Sequence, residues 1–388
     1  VSGNARPRIC FVAHNAFGAL SGKFAGHIGG VERQQSFMAR WLADRGYPVS
    51  ILTWDEGALD GEEINGVRVF NICEKGGGVR GVRFFHPRWT GLIRAMRRAD
   101  AAIYYQNCGE CVTGQVGFWC RINKRRFVYS VASDPDVDPS LPEMKTMRER
   151  ILYRYGLRHA DRVVVQTRIQ QDRLRTAWGI ESVLIPMPGL RDRGREPVSV
   201  GAPREGKGTV LWVGRIDETK RLEWLLGIAK LCPDIRFEVV GQTHGWSDYS
   251  HMLDEQAKVL TNVTRHGYVP PERLPEFYAR ASVLCCTSRY EGFPNTFLEA
   301  WSYGVPVVST VDPDDLIRGK KLGIVSESIP GLTNGIRRLL GDAELWGLAS
   351  VNAREYFLAR HSPETVMPQF EDLFVSMVEG RNHVVLED

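Results

Sequence analysis

No run of apolar residues in this chain approaches the roughly 20 that a membrane-spanning helix needs, and Val1 to Arg6 lacks the hydrophobic core of a signal peptide. A cytoplasmic protein is the expectation. A full set of zinc ligands is missing too. Cys108-Gly-Glu-Cys111 has only Cys120 nearby and no histidine at ligand spacing, so a pair of loop thiols is favoured over a zinc site. Cys10, Cys73, Cys232, Cys285 and Cys286 lie in or beside apolar strand-like runs, as reduced core thiols do. No short-period repeat is present, which leaves out a solenoid.

What is present is long and balanced. At 388 residues the chain exceeds one typical core, so two domains are expected. Apolar and charged fractions of 43% and 25% are those of a globular protein. The net charge of +4 hides an asymmetry, because residues 1–200 carry 30 Lys and Arg against 20 Asp and Glu, and residues 201–388 carry 20 against 26. Attraction to acidic material therefore falls on the first half, and no nucleic-acid partner is expected.

Arg8 to Ala13 reads as a first strand, and Val31 to Arg45 has helical periodicity through Phe37, Met38, Trp41 and Leu42. Between them a stretch rich in small residues ends in Gly29-Gly30, which lets backbone approach a ligand closely, although many such turns are only turns. Strands at Val49–Thr53, Val67–Phe70, Ala101–Tyr105, Phe127–Val131 and Val163–Val165 mostly alternate with helices. A second series places strands at Thr209–Arg215, Arg236–Gly241, Val263–Gly267, Ala281–Cys286 and Val305–Ser309. The fold class is therefore α/β, with two Rossmann-like doubly wound domains facing a central cleft. The expected boundaries are 1–190, a polar linker at 191–208, 209–362, and a terminal helix within 363–388 packing back toward the first domain.

Two features of the first half admit more than one reading. Around Arg88 to Arg98, Trp89, Leu92, Ile93 and Met96 share one helical face and Arg94, Arg97 and Arg98 another. A core-packed helix with a solvated back is favoured over one lying on an anionic membrane. In Ser133 to Pro139, Asp134, Asp136 and Asp138 alternate, and an extended segment would put all three on one side. Acceptor binding, a divalent ion and a plain acidic loop all remain open there.

The most informative stretch is Tyr290-Glu291-Gly292-Phe293-Pro294-Asn295-Thr296-Phe297-Leu298-Glu299-Ala300, a tight turn between an apolar strand and a helix. Pro294 suits the first helical position, leaving the amides of Asn295 and Thr296 free to attract phosphate. Glu299 falls one turn on, on the side of Asn295, where a carboxylate can accept from the two hydroxyls of a ribose. Glu291 faces the same opening. Hydroxyls at both ends and phosphate between them describe a nucleotide sugar. An ordinary capped helix with two solvated glutamates is the alternative.

With Gly214-Arg215, Lys220 and the Glu291-to-Glu299 spacing, the chain resembles retaining glycosyltransferases of the GT-B fold, family 4. The resemblance spans the chain, including Gly29-Gly30-Val31-Glu32, and is most specific in the C-terminal part; it implies that 1–190 is the acceptor-binding domain, with Gly29 and Gly30 nonetheless among the donor-binding residues, and that 209–362 is the nucleotide-sugar-binding domain. It implies that Arg215 and Lys220 hold the donor diphosphate, with Gly214 at the same turn, and that Glu291 meets the sugar hydroxyls. Gly292, Phe293 and Pro294 would shape the donor site, with the Asn295 and Thr296 amides on phosphate, Glu299 on the ribose and Gly267-Tyr268-Val269 beside the base. Where many members carry a histidine after the strand corresponding to Phe127–Val131, this chain reads Ala132-Ser133-Asp134, so Asp134 is the replacement candidate.

A UDP- or GDP-sugar donor and a glycan or lipid-linked glycan acceptor in cell-surface polysaccharide synthesis follow from the resemblance, with no metal or other cofactor. The inner face of the plasma membrane is a further expected partner. No convincing protein nucleophile is evident, so front-face attack by the acceptor hydroxyl is preferred, and retention of configuration rests on the resemblance. A non-hydrolysing nucleotide-sugar epimerase and a non-catalytic nucleotide-sugar-binding protein are the alternatives.

Overall fold

The structure, a computed structural model, describes residues 6–22, 29–190, 208–243 and 248–380. The expected linker thus falls almost wholly outside the described residues. The chain divides into two compact units, Val1–Pro188 with Glu364–Asp388, and Gly189–Pro363.

In the first unit the strands are β1 (Ile9–Val12), β2 (Val49–Asp55), β3 (Glu63–Ile64), β4 (Val67–Glu74), β5 (Ile103–Asn107), β6 (Arg126–Ser130), β7 (Arg162–Val165) and β8 (Val183–Leu184). They form one sheet in the order β3-β4-β2-β1-β5-β6-β7-β8, parallel except for β3 against β4. A parallel sheet must be covered on both faces, and β1 shows it residue by residue. Ile9 and Phe11 join one core with Met38 and Leu42, whereas Cys10 and Val12 join another with Leu92, Met96 and Trp119.

The sequence reading did not place β3 or β8. The first is held by a hairpin turn at Asn65-Gly66 with φ of 52° and 76°, a dipeptide that favours this geometry. The terminal helix Pro363–Glu379 supplies Val366, Phe370, Leu373 and Met377 to the core of this unit, at the spacing of one helical face. Its Glu371 also accepts from Trp41 Nε1 at 3.3 Å and pairs with Arg45 at 2.9 Å.

Helices Cys111–Ile122 and Met147–Arg158 cross at two glycines. A Cβ on Gly114 would lie 2.2 Å from the Leu152 carbonyl oxygen, and one on Gly156 2.3 Å from that of Thr113. Of the basic segment only Thr90–Ala99 is α-helical. Its Leu92, Ala95 and Met96 are in the core and Arg94 and Arg97 are exposed, while Trp89 belongs to a preceding irregular turn, Phe84–Trp89. Among the described residues no helix is long and apolar enough to cross a membrane. All eight cysteines are free thiols.

The second unit holds β9 (Thr209–Val213), β10 (Arg236–Val240), β11 (Val263–Arg265), β12 (Val283–Cys286), β13 (Val307–Ser309) and β14 (Gly323–Val325). Their order is β11-β10-β9-β12-β13-β14, all parallel. Strand order therefore reverses between β9 and β12, as it does between β1 and β5 in the first unit. At such a reversal the flanking loops leave in opposite directions and open a crevice at the carboxyl ends of the strands. β14 was not anticipated, since Gly323-Ile324-Val325 is too short to stand out as a run.

Candidate active site

The reversal point of the second unit gathers the C-terminal candidates. Gly214 follows β9, and its amide donates to the Val240 carbonyl at 3.1 Å. Gly241, at φ +151°, approaches so closely that a Cβ there would lie 1.9 Å from the Gly214 oxygen. The Gly241 amide in turn donates to Gly267 at 2.9 Å. The loops after β9, β10 and β11 are thus tied in sequence, and Gly267-Tyr268-Val269 lies just beyond β11, with Tyr268 exposed.

Asp217 shapes the loop that carries Lys220. Its Oδ1 accepts from the amides of Thr219 and Lys220 at 3.0 and 3.1 Å, a turn closed by a side chain. Arg215 lies 3.6 Å from Asp217 and is half exposed. Staples across the reversal point fix the loop to the segment after β12. Thr287 Oγ1 donates to the Lys220 carbonyl at 2.7 Å, Arg221 donates to the carbonyls of Thr287 and Ser288, and the Arg289 amide donates to Thr219 at 2.8 Å.

These ties aim Lys220 at Glu291, and the two side chains form a hydrogen-bonded ion pair. Burial works to lower the Lys220 pKa, but the charge and hydrogen bond of Glu291 outweigh it and hold the ammonium above its ordinary range. Lys220, Glu291 and Thr296 line one narrow crevice with Val213, Cys286 and Ser288, about 10 Å³ in volume, roughly the room of one water.

The helix here is Asn295–Ser302, with Pro294 as its N-cap at φ −66°, ψ 121°. Pro294 therefore precedes the helix by one residue instead of opening it. Asn295 and Thr296 take the first two helical positions, whose N–H groups have no partner within a helix, and Phe297 donates back to Pro294 at 3.0 Å. Gly292 and Phe293 are buried, with Phe293 packed edge-on to Trp301 and against His361. Glu299 is 6% exposed and accepts from the Tyr278 hydroxyl at 2.5 Å, so a solvated glutamate is ruled out at that position. Asp217, Arg221, Thr287 and Tyr278 were not anticipated. Only the three-residue spacing from Asp217 to Lys220 offered a local signal, that of a side-chain-closed turn.

The first-unit candidates are placed differently. Gly29 caps the helix Gly30–Asp44, and its amide donates to Glu32 at 3.1 Å. Burial raises the Glu32 pKa despite that bond. Ser133 to Pro139 is not extended, because Asp134–Val137 forms a helical turn that rotates successive side chains apart. Asp134 accepts from Gln170 Nε2 at 3.0 Å. Asp136 is buried and accepts from the amides of Ala132 and Ser133 at 3.0 and 3.3 Å, while half-buried Asp138 accepts from the Ser140 amide at 2.8 Å. The three carboxylates do not share a side. Among the described residues no three His, Cys, Asp or Glu side chains converge as a metal site would require.

Residues 29–188 match the glycosyl transferase 4-like domain, and residues 207–342 match glycosyl transferases group 1. The chain belongs to the group 1 glycosyltransferases. With two Rossmann-like units it has the GT-B fold of that group. Among solved structures similar to this glycosyltransferase is Anabaena HepE in complex with UDP-glucose, at a TM-score of 0.74 and 17% identity, covering 97% of this chain and 100% of that one. Mannosylfructose-phosphate synthase of Agrobacterium fabrum is 30% identical over 188 residues, 43% of this chain and 40% of that protein. The amylovoran biosynthesis glycosyltransferase AmsD of Erwinia amylovora is 23% identical over 235 residues, 58% of this chain and 65% of that protein. The chain thus spans less than two thirds of the length of these two relatives.

Proposed function

We propose that this glycosyltransferase moves a sugar from a UDP- or GDP-sugar to a hydroxyl of a glycan or lipid-linked glycan in cell-surface polysaccharide synthesis, with retention of configuration. The observation that carries the reading is the Lys220–Glu291 pair at the strand reversal of the second unit, beside Thr296 at a helix start. Breaking a sugar–phosphate bond builds negative charge on the leaving diphosphate. Lys220, Arg215 and the amides of Asn295 and Thr296 supply fixed positive ends for that charge. Without donor, Lys220 is neutralised by Glu291. A diphosphate would take over the ammonium and release the Glu291 carboxylate to accept from sugar hydroxyls, coupling the two ends of the donor.

Glu299, held by Tyr278, would meet the ribose, and Gly267-Tyr268-Val269 the base. Front-face attack by the acceptor hydroxyl, with its proton passing to the leaving phosphate, requires no protein nucleophile, and the cationic groups leave no charge for a metal ion to neutralise. UDP-glucose in the HepE structure and the amylovoran role of AmsD support a nucleotide-sugar donor and a polysaccharide product. A cytoplasmic protein held on the inner face of the plasma membrane fits the basic first half and the exposed Val79, Val82 and Phe85 beside Arg80 and Arg83.

The test is a thermal-shift screen of nucleotide sugars, followed by assay of acceptor-dependent nucleotide release in the presence of a chelator. Binding at 100 times Kd is expected to stabilise by about 2.7 kcal/mol. Absence of any nucleotide shift, or activity restored only by manganese or magnesium, would overturn the donor or the metal-free part respectively.

A further inference from the structure

The residue after Lys220 breaks two local rules. Arg221 is the N-cap of the helix Leu222–Leu231 but makes no side-chain cap bond to it, although short polar residues are preferred there. Its backbone lies in the left-handed region, at φ 49° and ψ 53°, where a side chain crowds the following carbonyl and glycine is favoured. A residue kept in that conformation against its own preference is held by its surroundings, and such positions cluster at functional sites.

A clamp holds Arg221. Its Nε donates to the Thr287 carbonyl at 2.7 Å and its Nη2 to the Ser288 carbonyl at 2.9 Å, while the guanidinium stands 4.0 Å over the Trp224 ring centre. The planar fork fits two successive carbonyls, and the indole fixes its plane. The carbonyls it grips are themselves fixed. Thr287 is fully buried and accepts from Trp212 Nε1 of β9 at 3.1 Å, and Thr310 Oγ1, just past β13, donates to the Ser288 carbonyl at 2.6 Å. The clamp therefore ties the residue after Lys220 to three neighbouring strands, β9, β12 and β13.

We propose that Arg221 is a positioning residue for Lys220: the clamp sets the left-handed turn from which the lysine stem starts, and Arg221 does not itself touch the donor. Lysine reaches its target on a flexible four-carbon stem, so where its ammonium stands depends on how firmly its backbone is placed. Asp217 accepts from the Lys220 amide and Thr287 donates to its carbonyl, which leaves the torsions at Arg221 to fix the chain beyond. The Arg221 guanidinium is engaged by two carbonyls and a ring, an arrangement suited to anchoring backbone, whereas Lys220 is paired with an exchangeable carboxylate. This role rests on the reading of Lys220 as a diphosphate ligand.

Arg221→Gly in the full chain separates the clamp from the strained backbone, because glycine takes a positive φ freely. Its melting temperature is expected to change little, while kcat falls by roughly ten- to a hundredfold with the donor KM nearly constant, as for a group displaced by about 1 Å. Arg221→Lys, which keeps the charge but not the fork, should lose as much. In a Lys220→Ala background neither substitution should lower kcat further by more than about twofold, since residues acting through one another are not additive. A second readout needs no turnover: competitive acetylation followed by mass spectrometry, with exposed Lys124 as the internal standard. Lys220 is expected to label several-fold faster in both variants, as its pair with Glu291 loosens. Wild-type kcat in folded Arg221→Gly, a loss that only follows a lowered melting temperature, or unchanged labelling of Lys220 would overturn the proposal. A further full loss in the Lys220→Ala background would overturn it as well, and would make Arg221 a donor ligand in its own right. If no nucleotide sugar supports transfer by the unaltered chain, the transferase reading falls, and the labelling still decides the clamp.

Discussion

The two units reverse their strand order at the same place, after β1 and after β9, yet they furnish the resulting crevice in opposite ways. The second unit lines it with backbone staples, a lysine–glutamate pair and a helix start, and among its described residues these enclose one narrow crevice of about 10 Å³. The first leaves about 400 Å³ over an apolar floor with a rim of mixed charge. The fold fixes where a ligand can enter, and the side chains decide its chemistry. A crevice built on a preorganised lysine–glutamate pair suits charge that develops during reaction, whereas an open cavity with an apolar floor suits a group that must only be positioned.

The sharpest way to break this contrast is to remove a cation from each crevice. Lys220→Ala and Arg215→Ala are expected to lower kcat by about a hundredfold to a thousandfold, corresponding to ~2.7–4 kcal/mol, because their contacts strengthen as the diphosphate leaves. Arg88→Ala, at the first-unit cavity, should instead raise the acceptor KM and leave kcat nearly intact. Steady-state kinetics with both substrates varied would separate the two patterns. An unchanged kcat in folded Lys220→Ala would reduce Lys220 to a structural ion pair.

Backbone geometry sharpens it next. Gly241→Ala should destabilise by about 2–3 kcal/mol, since a Cβ there would strike the Gly214 oxygen at a φ that side chains rarely adopt. Nucleotide binding should weaken with it. Thermal unfolding and ligand titration on the same preparation check both halves.

Of similar size, and confined to the first unit, is a pH effect. Burial pushes the Asp136 carboxyl up from the ordinary 3.8 to about 6, although the amides of Ala132 and Ser133 pull the other way. Between those values the folded protein binds more protons than the unfolded chain, so the contribution of this group falls as pH rises. About 3 kcal/mol should be lost between roughly pH 4 and pH 6, with no further loss above. Urea titrations across this window are expected to show the slope, and Asp136→Asn to flatten it.

The smallest effect concerns the helix start. Tyr278→Phe removes the hydrogen bond to Glu299 and should cost about 1 kcal/mol of stability. Glu299→Ala should weaken donor binding with little change in kcat, because ribose hydroxyls lie away from the reacting bond. Isothermal titration of both variants with nucleotide distinguishes a loosened carboxylate from a missing one.

These contrasts also track what the sequence could disclose. Tyr290 to Ala300 was legible because an apolar strand, a Gly-Phe-Pro turn and a helix follow one another within a few residues, and only the register of Pro294 slipped by one. Asp217 and Thr287 were not, since they act by bonding backbone groups, and the Thr287 tie spans 67 positions. The Asp134–Asp138 segment misled because alternating aspartates fit an extended chain as well as a turn, although Asp136 three residues after Ser133 has the spacing of a capping box. The cavity was invisible for a different reason, since its lining is drawn from His14 through Glu149 and only parallel pairing of β1 with β2 and β5 brings those positions together.

Hydrogen–deuterium exchange on the full chain, with UDP and GDP in parallel, puts the central assignment to its most direct test. With at least one of them, protection is expected at residues 214–220 and 289–299, around the Lys220–Glu291 pair, with none in the loops after β1 and β5 that line the first-unit cavity. Protection of those loops instead, or no protection by either nucleotide at saturating concentration, would contradict the assignment of the donor to the second unit.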